Sequence, residues 1–120
     1  MIERCLDYRR IKKFPEWNIW ISSEVFYLME IENGEDLGVW IVHPSNHRIL
    51  IHACMGEKCK GRKAVESAKN AFKWVFENTE ISKIYAIISN TKRPAQFVAS
   101  WAGMKYISKD SDNRAYVMVK

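Results

Sequence analysis

The stretch RILIHACMGEKCKGRKAVESAKNAFKWVFENTEISKIYAII, residues 48–88, decides the fold. Its two ends, residues 49–55 and 84–88, are nearly continuous apolar runs, the pattern of strands covered on both faces in a parallel sheet. Between them Ala64, Val65, Ala68, Ala71, Phe72, Val75 and Phe76 recur at the spacing of one helical face, with Glu66, Lys69, Asn70, Lys73 and Glu77 lying off it. The spacing predicts a helix from about Ala64, with Asn78 in the left-handed position beyond its last turn. A strand, helix and strand of this length form a right-handed parallel crossover, and open α/β sheets bind ligands beyond the carboxyl ends of such strands. Residues 56–63 and the segment from Asn90 therefore share one edge.

The turn carries Lys58, Lys60, Arg62 and Lys63 at a helix start, where the macrodipole is already positive and each exposed cation costs about 0.3–1 kcal/mol. An anion reverses that sign, because free backbone N–H groups and cationic side chains together suit a phosphate. A solvated lysine-rich turn accounts for the same charges, and charge alone does not choose. Lys92 and Arg93, ahead of Pro94, place a second basic helix start on the same edge. That helix is expected to bury Phe97, Val98, Trp101 and Ala102 and to stop at Gly103.

The order of apolar strand, E-x-x-K-G-R-K, a helix with A-x-x-x-F-x-W-x-F-E-N, strand, Asn, and a short helix ending in A-G-M resembles the GNAT N-acetyltransferase superfamily, particularly its ribosomal-protein-acetyltransferase-like branch. The resemblance covers roughly residues 48–107. It implies an α/β (α+β) mixed sheet, an antiparallel meander followed by a parallel crossover, with a shortened N-terminal region. It also implies acetyl-coenzyme A as cofactor and transfer of an acetyl group from that thioester to an acceptor amine. In the family the loop after the fourth strand has the pattern Arg/Gln-x-x-Gly-x-Gly/Ala and holds pyrophosphate on its amides. Lys60 matches the leading basic position and Gly61 the glycine that follows it, while Lys63 and Val65 occupy the two small-residue positions. The resemblance thus assigns Cys54, Met55, Lys58, Cys59, Lys60, Gly61, Arg62, Lys63 and Ala64 to the cofactor, with Asn90 and Arg93 from the second edge segment. Gly103-Met104 matches the pair that opens the sixth strand, and Ala99 stands where the family usually has a tyrosine general acid. Short chains of this type also resemble bacteriophage head-assembly or internal virion proteins, so the alternative is a catalytically inactive GNAT-fold binding module.

In the family a base for the acceptor amine often projects from this sheet, so the resemblance implies His52, inside the central strand, as the candidate base, a role that a neutral imidazole can fill near pH 7. Its ordinary alternative is a histidine hydrogen-bonded on the sheet. His43 and His47 bracket a turn, and the spacing of the three matches no metal site.

The remaining chain frames this unit. Its 120 residues make one domain, residues 1–120, and 48% hydrophobic content predicts a folded core. The net charge of +5 favours an anionic partner, and nucleic acid is among those the charge allows, but no recognition motif accompanies it. No run approaches the roughly 20 apolar residues of a membrane helix. Cys5, Cys54 and Cys59 are an odd number with no signal peptide, which suits a reducing, cytoplasmic setting. Cys54 is expected to be buried; Cys59 is either a thiol of lowered pKa or a plain exposed one. Residues 2–14 alternate loosely between apolar and basic and predict a short helix ended by Pro15, its RRIKK run a solvated face. SEVFYLMEIEN and DLGVWIVHP predict strands joined at Asn33-Gly34, Pro44-Ser45-Asn46 a second turn, and residues 104–120 a final hairpin. Trp17, Trp20 and Trp40 are expected in the core.

Overall fold

The computed structural model describes residues 1–12, 24–45 and 48–120. In chain order the elements are β1 (Ile2–Cys5), α1 (Tyr8–Lys12), β2 (Phe26–Glu32), β3 (Glu35–Ser45), β4 (Arg48–Met55), α2 (Arg62–Asn78), β5 (Lys83–Ser89), α3 (Arg93–Trp101), β6 (Lys105–Lys109) and β7 (Asn113–Val119). The strands make one seven-stranded sheet in the order β1-β2-β3-β4-β5-β7-β6. β2 to β4 form the expected antiparallel meander, β1 adds antiparallel to its outer edge, and β4 and β5 are parallel with α2 crossing between them. β7 inserts between β5 and β6, antiparallel to both, so the last hairpin completes the sheet.

Asn33 and Gly34 both adopt positive φ, 51° and 78°, which is the two-residue turn whose twist matches that of the β2–β3 hairpin. α2 buries Ala64, Ser67, Ala68, Ala71, Phe72 and Val75, close to the predicted face. The Trp40 indole Nε1–H donates to the Ser67 hydroxyl at 2.9 Å, so the polar residue on that face is satisfied and locks the helix to β3. Val65 and Phe76 are half-buried at the margin. On the other face of the sheet α1 packs Ile11 against Tyr27, Met29 and Val39, forming a second, smaller core.

Four expectations are corrected. Residues 2–5 are a strand, not helix: Ile2 to Cys5 pair with Glu30 to Tyr27 of β2, and the terminal ammonium binds the buried Glu30 carboxylate. A four-residue edge strand carries too little periodicity to declare itself. α2 starts at Arg62, two residues before Ala64, and runs through Asn78; Thr79 ends it in extended conformation, with its N–H and hydroxyl both donating to the Val75 carbonyl. In α3 the buried side is Ala99 with Gln96, whereas Phe97 and Trp101 are 61% and 71% exposed and meet edge-on. β4 and β5 are not covered on both faces, since His52 and Ile87 are exposed. Phe14, Pro15, Trp17, Trp20, Asn46 and His47 lie outside the described residues.

Candidate coenzyme-binding cleft

β4 and β5 pair at only two positions, Ile49 with Ile84 and Leu50 with Tyr85. Beyond them the strands part, and the facing edges of Ile51 to Met55 and Ala86 to Ser89 have no partner across the gap. A strand edge in this state offers unpaired N–H and C=O groups to whatever enters. The opening is a cavity of about 440 Å³, within the range of small-molecule sites. Ile51, His52, Ala53 and Met55 form one wall, Ala86 to Ser89 the other, and Trp40, Phe72 and Met104 the floor. Lys60, Gly61 and Ala64 at the start of α2 and Lys92, Pro94 and Ala95 at the start of α3 frame the mouth.

The local sequence makes the α2 start an anion site. Gly61 caps the helix at φ 60°, ψ −127°, a conformation open essentially to glycine, and no side chain caps it. Among the described residues the backbone N–H groups of Lys60, Gly61, Arg62 and Lys63 find no acceptor, the usual deficit of a helix start. Lys63 falls within the first turn, and its ammonium turns outward to the Glu32 carboxylate, 3.0 Å away. Lys58 likewise pairs with Glu35 at 2.9 Å. Both lysines are therefore neutralised by the β2–β3 hairpin and stand outside the cleft lining, as does Arg62. Lys60 lines the mouth, held by an exposed contact of 3.2 Å to Glu57, and Lys92 lines it with no carboxylate partner among the described residues.

Cys59 lines the cavity as a buried thiol, neither exposed nor activated, and burial, reinforced by Glu30, pushes its pKa up. Cys54 is half-buried and off the lining; burial raises its thiol pKa while the Lys92 ammonium opposes it. His52 reaches the cleft from β4, its ring edge-on to His43 with centroids 5.9 Å apart. Partial desolvation, with a smaller contribution from His43, holds the His52 pKa below the ordinary imidazole value. It is thus neutral at pH 7, the state a base requires. Ala99 forms part of the lining, and no tyrosine does.

Asn90 and Arg93 are placed elsewhere. Asn90 follows β5, its N–H donating to the Asp112 carbonyl at 2.8 Å and its side-chain amide to the Asp110 carbonyl at 3.1 Å, which pins the strand end to the β6–β7 turn. Both residues line a second cavity behind α3. Cleft residues that the sequence did not assign to it, among them Trp40, Ser89, Pro94 and Ala95, come mostly from the β5–α3 side, and Lys92 joins them from the basic pair at the start of α3. Lys92 and Arg93 differ by one position, which at a helix start sends them to different sides; the basic pair was visible, its division was not.

No protein-family model and no curated protein sequence matches the chain. Solved structures do. The N-acetyltransferase PseH of Campylobacter jejuni, crystallised with acetyl coenzyme A, matches with a TM-score of 0.82 over 100% of this chain and 99% of its own, at 12% identity. This is the GNAT fold. An acetyltransferase of the GNAT family from Bacillus anthracis matches at TM-score 0.65 and 20% identity over 80% of this chain and 66% of that one. The aminoglycoside acetyltransferase AAC(6')-Ib with coenzyme A matches at 0.67 and 14%, over 81% and 67%. The expected α/β architecture with parallel crossover is borne out. Among the described residues no helix is long and apolar enough to cross a membrane and no cluster of potential metal ligands occurs.

Proposed function

We propose that this protein is an acetyl-coenzyme A-dependent N-acyltransferase whose coenzyme lies in the gap between β4 and β5. The observation that carries this reading is the parting of the two strands after two paired positions, in front of a helix start with unmet N–H groups. The donors at residues 60–63 and the Lys60 and Lys92 ammoniums suit a pyrophosphate, and the open strand edges suit the amides of a pantetheine arm. When bound, acetyl-coenzyme A supplies an acyl thioester open to attack by an amine. His52 accepts the proton from that amine, directly or through a water, from its position on the cleft wall. Ile51, Met55 and Phe72 keep the inner end apolar, which strengthens polar contacts at the reacting centre. Ala99, at the position that the resemblance gives to the family's acid, has no proton to donate, so protonation of a leaving thiolate would fall to solvent.

That absence of a tyrosine also favours a second reading, a coenzyme A-binding module without transfer. No described feature favours the bacteriophage assembly role over it. A nucleic-acid role is weakened because Lys58 and Lys63 are already paired with carboxylates. Calorimetry with acetyl-coenzyme A, combined with mass-spectrometric detection of acetylated amines from an acceptor panel, separates the outcomes. Micromolar binding with turnover supports the enzyme, binding without turnover supports the silent module, and millimolar or no binding removes both.

A further inference from the structure

Charge is spread unevenly along the chain. Residues 1–82 hold twelve Lys and Arg against twelve Asp and Glu, whereas residues 83–120 hold seven against two, Asp110 and Asp112, so the whole excess of +5 falls on the last third. In the fold that third is β5, α3, β6 and β7. It is also where large rings stand in solvent: Phe97 and Trp101 on α3, and Tyr106 on the outer strand β6, which is exposed along its whole length.

The rings form a connected series. Trp101 meets Phe97 with centroids 6.5 Å apart, Phe97 and Tyr116 line the same cavity behind α3, and Tyr116 meets Tyr106 at 5.9 Å. Cations border them. Arg93 stands one turn before Phe97 on the same stripe of α3, the Arg114 guanidinium lies 5.9 Å from the Tyr106 ring centre, Lys109 pairs opposite Arg114, and Lys105 adjoins Tyr106. None of these four cations has a carboxylate partner among the described residues. They are distinct from the paired Lys58 and Lys63 near the α2 start. The stripe of Arg93 and Phe97 also looks away from the coenzyme cleft, which takes Pro94, Ala95, Val98 and Ala99 from the opposite side of α3.

Physical chemistry chooses among the anionic occupants. A second copy brings the same unbalanced cations, and like charges brought together across an interface repel. An acidic strand added to β6 meets the devices that blunt sheet edges, a bulge between Tyr106 and Ser108 and a lysine at each end. A protein docked on the face in another way buries lysines, which interfaces avoid. A single-stranded polynucleotide uses both features as they stand, its phosphates meeting the cations and its unpaired bases stacking on the rings. A duplex keeps its bases stacked inside and gives the rings nothing to hold. We propose that the face formed by α3 and β6 binds single-stranded nucleic acid, with Phe97, Trp101 and Tyr106 as stacking platforms and Arg93, Lys105 and Lys109 on the phosphates.

The test is fluorescence anisotropy on the full chain with labelled oligothymidylate and oligouridylate of about twelve nucleotides, within the range of single-domain sites. A duplex of the same length and polyglutamate are the comparisons. At least one single strand binds saturably, its affinity falls as salt rises, and coenzyme A does not displace it. Trp101→Ala weakens binding about 5–100-fold, as loss of one stacked base predicts. Phe97→Ala, at a second exposed ring, gives the same reading should Trp101→Ala fail to fold. Arg93→Ala and Lys109→Ala each lower the salt slope by about 0.7. The proposal is overturned if neither strand saturates, if the duplex or polyglutamate binds as tightly, if neither ring variant weakens binding, or if coenzyme A competes.

Discussion

Replacing Gly61 by alanine tests the helix start on which the coenzyme site depends. The cost comes from the backbone alone: at φ 60° and ψ −127° a side chain is strained, yet a Cβ at this position meets nothing within 4 Å. A residue held in such a region costs about 1–3 kcal/mol. Alanine recovers roughly 0.4–1 kcal/mol by restricting the unfolded chain. The net loss is about 1–2 kcal/mol, which in a domain of this size lowers Tm by roughly 4–8 °C. Asparagine rescues left-handed helical positions, but ψ −127° is not one, so Gly61→Asn should cost about as much as Gly61→Ala. Relief of the strain also turns the N–H groups of residues 61 and 62 away from the pyrophosphate position, so affinity for acetyl-coenzyme A falls with stability. Differential scanning fluorimetry and calorimetry on wild type and both variants measure the two effects. Unchanged Tm and unchanged affinity in Gly61→Ala, or full rescue by asparagine alone, would refute the reasoning.

The lysines divide by direction. Lys60→Ala and Lys92→Ala should each weaken acetyl-coenzyme A binding roughly 2–10-fold, the worth of an exposed charged contact, whereas Lys58→Ala and Lys63→Ala leave the calorimetric Kd unchanged because both point to the β2–β3 hairpin. For His52 the pKa is lowered, so its base form already predominates at the ordinary imidazole value of about 6.5, and kcat/KM rises with pH below that point and then levels. His52→Gln lowers the plateau and removes the limb; a retained limb assigns the titration to another group. The same shift makes folding more favourable as pH rises from the folded to the unfolded pKa, since the unfolded chain binds more protons there, and pH-dependent denaturation of His52→Gln should lose that slope. Trp40→Phe strands the buried Ser67 hydroxyl and should cost about 1–3 kcal/mol in urea unfolding, while Trp40→Phe with Ser67→Ala recovers part of it.

Much of the architecture was legible before any coordinates. The apolar spacing of Ala64 to Val75, the Asn33-Gly34 turn and the three-strand meander are local signals, each confined to a few consecutive residues, and each forms where expected. β1 escaped notice because its order comes from pairing with β2 and from the buried Glu30 receiving the terminal ammonium, partners some 30 positions away. Phe97 and Trp101 were misplaced for a similar reason: hydrophobicity marks a residue that gains from burial, but the side of α3 that enters the core carries Gln96 and Ala99, and the large rings stand outside.

The candidate site divides along the same line. Met55, Cys59, Lys60, Gly61, Ala64 and His52 line the cleft as the strand and turn around them predict, because their directions follow from local backbone geometry. Lys58 and Lys63 are lost to carboxylates on a distant hairpin, and Asn90 and Arg93 to a cavity behind α3. Sequence by itself determined a parallel crossover with a basic, glycine-capped helix start, since dihedral preference and apolar period are properties of neighbouring residues. Tertiary structure decided that the two central strands part after two pairs, and which cations remain free to meet an anion, because both outcomes depend on contacts between segments far apart in the chain.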